Sequence, residues 1–159
     1  MFASKRPGRS CHDIAISRVE RASVRSRDIA RIDRQVFRGR YDCALTLPAA
    51  REGRLTLALA SGKVVGYAFA YAADYFDEPS VWSLDSVAVL DDYQSCAVGS
   101  RLVRELGRWV AVHQPDATFQ AVALVGDGMC ARERWLRRLG FTADASDFIF
   151  SIKCRDLDA

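Results

Sequence analysis

Apolar positions alternate with polar ones in some stretches of the chain and recur every three or four residues in others, and the two periods separate strands from helices. Ile14, Ala15, Ile16 and Val19 mark a first strand, preceded over 1–10 by a basic segment with Pro7-Gly8 that reads as a flexible tail. Ile29, Ile32, Val36 and Phe37 follow helical spacing with Arg31 and Arg34 opposite, and Ser26 stands where a hydroxyl can cap the first turn. Leu55, Leu57 and Leu59 alternate with Thr56, Ala58 and Ala60. Ser61-Gly62-Lys63 then supplies a tight turn, and Val64 to Ala73 runs back as the second arm of a hairpin. Val81 to Val89 is a third strand in this run. Beyond it, Val98, Leu102, Leu106, Trp109, Val110 and His113 line one helix face, with Arg101, Arg104, Glu105 and Arg108 on the other. Phe119 to Val125 reads as a buried strand. Ala131, Trp135 and Leu139 mark a short basic helix with Trp135 in the core, closed by Gly140, and Phe148 to Ile152 reads as a last strand. The order β, α, three β, α, β, α, β predicts an α/β (α+β) fold, a mixed sheet with helices packed on it, in a single domain over 11–159.

Composition narrows the class. The 159 residues suit one core, and a chain half apolar and 27% charged has the makeup of a globular protein rather than a disordered one. No apolar run approaches the ~18 residues of a membrane span. The segment Met1 to Arg9 lacks the apolar stretch of a secretory signal, so the expectation is a soluble, cytoplasmic protein with no membrane partner. Cys11, Cys43, Cys96, Cys130 and Cys154 are odd in number and nowhere form C-x-x-C. With only His12 and His113 beside them they predict no metal, and reduced thiols filling small apolar spaces.

The net charge of +3 is unevenly spread. Residues 1–63 carry 14 basic and 6 acidic side chains, whereas 64–100 contain no Lys or Arg and six acids: Asp74, Asp77, Glu78, Asp85, Asp91 and Asp92. Such segregation gives the surface a directional field, and the acidic centre suits a cationic partner. The basic front is interleaved with acids and has no aromatic-basic ribbon, which argues against nucleic acid.

The segment with chemical content is Leu84 to Leu102. A strand leads through the small-residue loop Gln94-Ser95-Cys96-Ala97-Val98-Gly99-Ser100 into the amino end of a helix, where unpaired N–H groups and a partial positive charge make a phosphate cradle without any basic side chain. Ala97 and Gly99 keep the backbone clear for a pyrophosphate. Gln94-Ser95-Cys96-Ala97-Val98-Gly99 resembles the Gln/Arg-x-x-Gly-x-Gly/Ala motif of the GCN5-related N-acetyltransferases, and Arg134-Trp135-Leu136-Arg137-Arg138-Leu139-Gly140-Phe141 is similar to a second segment of that family near its carboxyl end. The resemblance runs from about Ile14 to the final strand.

What the resemblance implies is a mostly antiparallel central sheet flanked by helices, an acyl-CoA co-substrate such as acetyl-CoA, and transfer of its acyl group to an amine acceptor. Backbone groups of Val87, Ala88 and Val89 would hold the pantetheine arm as an added strand, Gln94, Ser95, Cys96, Ala97, Val98, Gly99 and Ser100 would bind the pyrophosphate, and an N–H near Val87 would polarise the thioester carbonyl. Asp85 is the candidate base, directly or through a water. Its parity with Ser83, Val87 and Val89 puts it on their face, and the alternative is an Asp paired to an arginine or capping a bend. Two departures stand out. Ala97 replaces the first motif glycine, and Leu136 replaces the tyrosine that many members use to reprotonate the thiolate, with Met129 near the place of a frequent asparagine. Another group could then serve as the acid, Tyr71, Tyr75 or Cys130 among them, or water could. Otherwise the protein is a catalytically silent CoA-binding module. The family also leaves room for a homodimer through the last strands.

Overall fold

In the computed structural model, which describes residues 13–19, 26–38, 53–73, 80–122, 129–145 and 149–158, the alternating stretches form β1 (Ile14–Val19), β2 (Gly53–Ala60), β3 (Lys63–Ala72), β4 (Val81–Val89), β5 (Thr118–Val122) and β7 (Ile149–Lys153). Between the last two lies β6 (Thr142–Ala143), too short for any period to reveal. The helical stretches form α1 (Ser26–Val36), α2 (Val98–His113) and α3 (Met129–Arg138), with 3₁₀ turns over Asp91–Cys96 and Cys154–Asp158. The tail over 1–10, the acidic residues 74–79 and the end expected for the fifth strand, 123–125, lie outside the described residues.

The strands make one seven-stranded sheet in the order β1-β2-β3-β4-β5-β7-β6. Every neighbouring pair is antiparallel except β4 and β5, which α2 joins as a crossover. Both residues of the Ser61-Gly62 turn have positive φ (48° and 76°), so this hairpin asks Ser61 as well as glycine to enter the left-handed region. Gly140, at φ 93°, ends α3 as expected, and the Phe141 amide reaches back to the Leu136 carbonyl at 3.1 Å.

Helices cover the sheet on either side. Ile29 and Ile32 of α1 pack against Leu55, Leu57, Tyr67, Phe69 and Ala88. Val98, Leu102, Val103, Leu106 and Val110 of α2 join Ala58, Val65, Ala68, Ala70, Leu84 and Val89, together with Leu136, Leu139 and Phe141 from the α3 region. Each such Leu or Ile contributes about 1.5–3 kcal/mol by leaving water. Thr56 Oγ1 donates to the Leu102 carbonyl at 3.1 Å, fixing α2 to the sheet. The Arg54 guanidinium lies 5.5 and 5.3 Å from the Trp82 and Trp109 ring centroids, clamping the far end of α2.

Candidate functional site

Two strands that begin side by side and then separate create the site. β4 and β5 pair only through Val81, Ser83 and the Trp82 between them, against Thr118 to Gln120. β5 then stays with β7 as far as Val122, and β4 stays with β3 as far as Val89. From Leu84 to Val89, the edge of β4 facing β5 has no ladder partner among the described residues. An extended ligand can pair with such an edge as an added strand. At the end of β5, Val122 is one of two large apolar side chains among the described residues that remain exposed.

At the end of β4 the chain makes the 3₁₀ turn Asp91–Cys96 and enters α2 through Ala97, whose φ of 53° and ψ of 24° place it in the left-handed region. No side chain caps α2. The first α2 bond runs from the Arg101 amide to the Ala97 carbonyl at 3.1 Å, so the amides of Val98, Gly99 and Ser100 precede the helical ladder. A right-handed turn followed by a left-handed residue is also the backbone nest that holds anions, and the positive end of α2 adds to it.

The individual loop residues divide their work. Gln94 donates from Nε2 to the Val89 carbonyl at 3.1 Å and to Asp91 Oδ1 at 3.0 Å, so its carboxamide cinches the loop onto the strand end. Ser95 and Ala97 are exposed, Cys96 and Ser100 half-buried. A Cβ at Gly99 would meet Trp135 at 3.6 Å and Val87 at 3.7 Å. The missing side chain there therefore faces the packing of α3 over the loop rather than a ligand. Trp135 is half-buried where it packs against the core, and its indole N–H donates to Ser100 Oγ at 3.0 Å. Leu136 is the core residue of that pair, 1% exposed.

β4 corrects the parity reading. Phe69 pairs with Ser86 and Ala70 with Leu84, so Asp85 is the extra residue of a β-bulge. Ser83 stands opposite Tyr71 on the α1 side of the sheet, whereas Val87 and Val89 lie near Gly99 on the α2 side. Ser83 and Val87 thus do not share a face, and Asp85 sits half-buried at the step between two registers. A sequence of alternating residues carries no mark of where an extra one will be inserted.

The bulge also brings forward a residue the sequence reading passed over. Three polar side chains are buried among the described residues: Asp33, Thr56 and Ser86. Tyr67 donates its hydroxyl to Asp33, and Thr56 donates to Leu102. Ser86 Oγ, in a residue only 6% exposed, has no hydrogen-bond partner.

Cys96 corrects the expectation of reduced thiols, for it is disulfide-bonded. Cys154 is free and buried, while the side chains of Cys11, Cys43 and Cys130 lie outside the described residues. No group of three His, Cys, Asp or Glu among the described residues converges on a common point, and no described helix is long and apolar enough to cross a membrane.

Comparison with known proteins gives a consistent picture. A family model described as "Acetyltransferase (GNAT) family" matches residues 24–141. A GNAT family N-acetyltransferase from Escherichia coli, solved in complex with CoA, superposes with a TM-score of 0.71 at 16% identity over 92% of this chain and 86% of that one. An acetyltransferase of the GNAT family from Staphylococcus aureus does so with 0.69 at 11% over 88% and 99%. The aminoglycoside 6'-N-acetyltransferase from Enterococcus faecium gives 0.65 at 16% over 88% and 97%. No curated protein sequence matches the chain.

Proposed function

The chain belongs to the acetyltransferase (GNAT) family, and on that premise we propose that it moves an acetyl group from acetyl-CoA to a primary amine by direct attack, with no covalent enzyme intermediate. The observation that carries this reading is a helix start with no side-chain cap, entered through a left-handed residue, directly after a strand edge that has no ladder partner among the described residues. The donor set fits the co-substrate. Amides of Val98, Gly99 and Ser100 and the nest around Ala97 suit a pyrophosphate, and the backbone of Val87, Ala88 and Val89 suits the pantetheine amides.

Chain length then sets where the reacting atoms fall. Between phosphate and sulfur the pantetheine arm has roughly twelve chain atoms, about as many as four residues of extended backbone, or ~13 Å. Counting four residues back from the end of β4 leads to Asp85 and Ser86. Asp85 takes the proton that an ammonium acceptor must lose, directly or through a water. An N–H near Val87 polarises the thioester carbonyl. The acidic run between Asp74 and Asp92 favours a cationic acceptor.

A second reading, a CoA-binding module without turnover, draws on Leu136, an apolar side chain sealed in the core where a proton donor would be useful. One experiment separates the two. Acetyl-CoA affinity is measured by calorimetry, and free thiol is followed with a chemically broad set of amines. Binding with amine-dependent thiol release supports transfer, binding without release across the set supports the silent module, and no binding removes both.

A further inference from the structure

The buried hydroxyl at the bulge is out of place in a resting protein. Leaving a hydroxyl in the interior without a partner costs free energy that an alanine would not, so Ser86 is the poorer choice for folding alone. Asp33 and Thr56, the other polar side chains buried among the described residues, both have partners. Ser86 also adjoins the extra residue Asp85, on the length of β4 without a β5 ladder partner among the described residues, at the position that an arm of the length reckoned above reaches with its sulfur. Pairing with Phe69 sets it on the α1 side of the sheet, opposite the side that Val87, Val89 and Trp135 fill around Gly99. An amine must approach a planar thioester from above or below the plane of its carbonyl, and Ser86 stands on one of those two sides.

We propose that Ser86 is a catalytic residue, the hydroxyl that passes a proton to the departing CoA sulfur. This rests on the acetyl-transfer reading given above. After the free amine has attacked, the adduct carries a positively charged nitrogen with a proton to lose. The C–S bond breaks and its electron pair goes to sulfur. Ser86 Oγ gives its proton to that sulfur and takes one from the nitrogen, leaving an amide, CoA thiol and an unchanged serine. Because one proton enters as another leaves, the hydroxyl need not be a strong acid. The ligand thereby provides the partner that the free protein withholds.

Two variants test this, each against wild type. Ser86→Ala is expected to lower kcat about a hundredfold or more, to leave acetyl-CoA affinity by calorimetry within about threefold, and to melt at the same temperature or a few degrees higher, since it removes an unpaired buried group. Ser86→Cys puts a thiol beside the thioester carbon. Incubated with acetyl-CoA alone, it is expected to exchange thioesters, gaining one acetyl group at that position by peptide mass spectrometry and releasing CoA thiol, with no such label in wild type. Full kcat in Ser86→Ala, or no acetylation of Ser86→Cys at saturating acetyl-CoA, overturns the assignment. Wild type that binds acetyl-CoA but acetylates no amine, beside a labelled Ser86→Cys, overturns the transfer reading while leaving Ser86 at the sulfur.

Discussion

The indole N–H of Trp135 donates to Ser100 Oγ at 3.0 Å and so fastens the middle of α3 to the first turn of α2. With Gly99 leaving room beneath its ring, Trp135 braces the segment whose amides precede the α2 ladder. Trp135→Phe keeps the ring and loses the bond. The expected result is a loss of about 1 kcal/mol, or about 2–4 °C in Tm for a chain of this size, and severalfold weaker acetyl-CoA binding by calorimetry.

Ala97 occupies a backbone region that costs a residue with a Cβ about 1–2 kcal/mol. Ala97→Gly removes that strain but gives the unfolded chain more freedom, worth about 0.4–1 kcal/mol in the other direction. A net gain of about 0.5–1 kcal/mol in chemical denaturation is expected, with acetyl-CoA binding retained. Ala97→Asp separates fold from ligand: a carboxylate at this exposed entry is favourable for the helix and unfavourable for a pyrophosphate. Its Tm should hold or rise while affinity falls at least tenfold.

Gly107 is tightly packed. A Cβ there would come within 2.4 Å of Leu157 Cδ1 and 3.2 Å of the Cys154 carbonyl, where the carboxyl-terminal turn lies across α2. Gly107→Ala should cost about 1–3 kcal/mol by overpacking, read from urea unfolding, and truncating Leu157 in the same chain should recover part of it.

Burial pushes the Cys154 thiol from its ordinary value up to about 12. In the folded protein the group keeps its proton where the unfolded chain loses it, so its contribution is full below about pH 9 and is lost as pH rises toward 12. Stability should therefore fall over that alkaline window, and less steeply in Cys154→Ala. At pH 8 a thiol reagent should label Cys154 only on unfolding.

Asp77 and Glu78 lie outside the described residues but within the acidic run. If the acceptor is cationic, Asp77→Asn with Glu78→Gln should raise its KM severalfold, more at low salt than at high, with acetyl-CoA KM unchanged. An unaltered acceptor KM would rule out electrostatic attraction by this pair.

Much of the framework was legible in the sequence because period and turn chemistry agreed. Leu55, Leu57 and Leu59, then Ser61-Gly62, then Val64 onward describe a hairpin before any coordinates do, and the helix from Val98 to His113 is written in its spacing. The loop before it was also legible, since small residues between strand and helix leave little else for the backbone to do. What escaped was set by tertiary packing. An inserted residue at Asp85 reverses every side chain after it, and β6 exists only because β7 pairs with it. The burial of Leu136 and the bond from the Trp135 indole to Ser100 follow from how α3 is turned on the sheet, which spacing alone does not show. Ser86 could not be singled out while the face it occupies was read from unbroken alternation.

Among the described residues, β4 and β5 are joined by three rungs, at Val81 to Ser83, and the sheet then opens like a book along the rest of β4. A guest chain seated in that opening would furnish rungs that the described residues do not, and a bound reactant would then finish the architecture. Occupancy and folding are then coupled: each increment of affinity is an increment of resistance to unfolding. The protein should be hardest to melt or to digest while it is loaded and most vulnerable just after releasing its product.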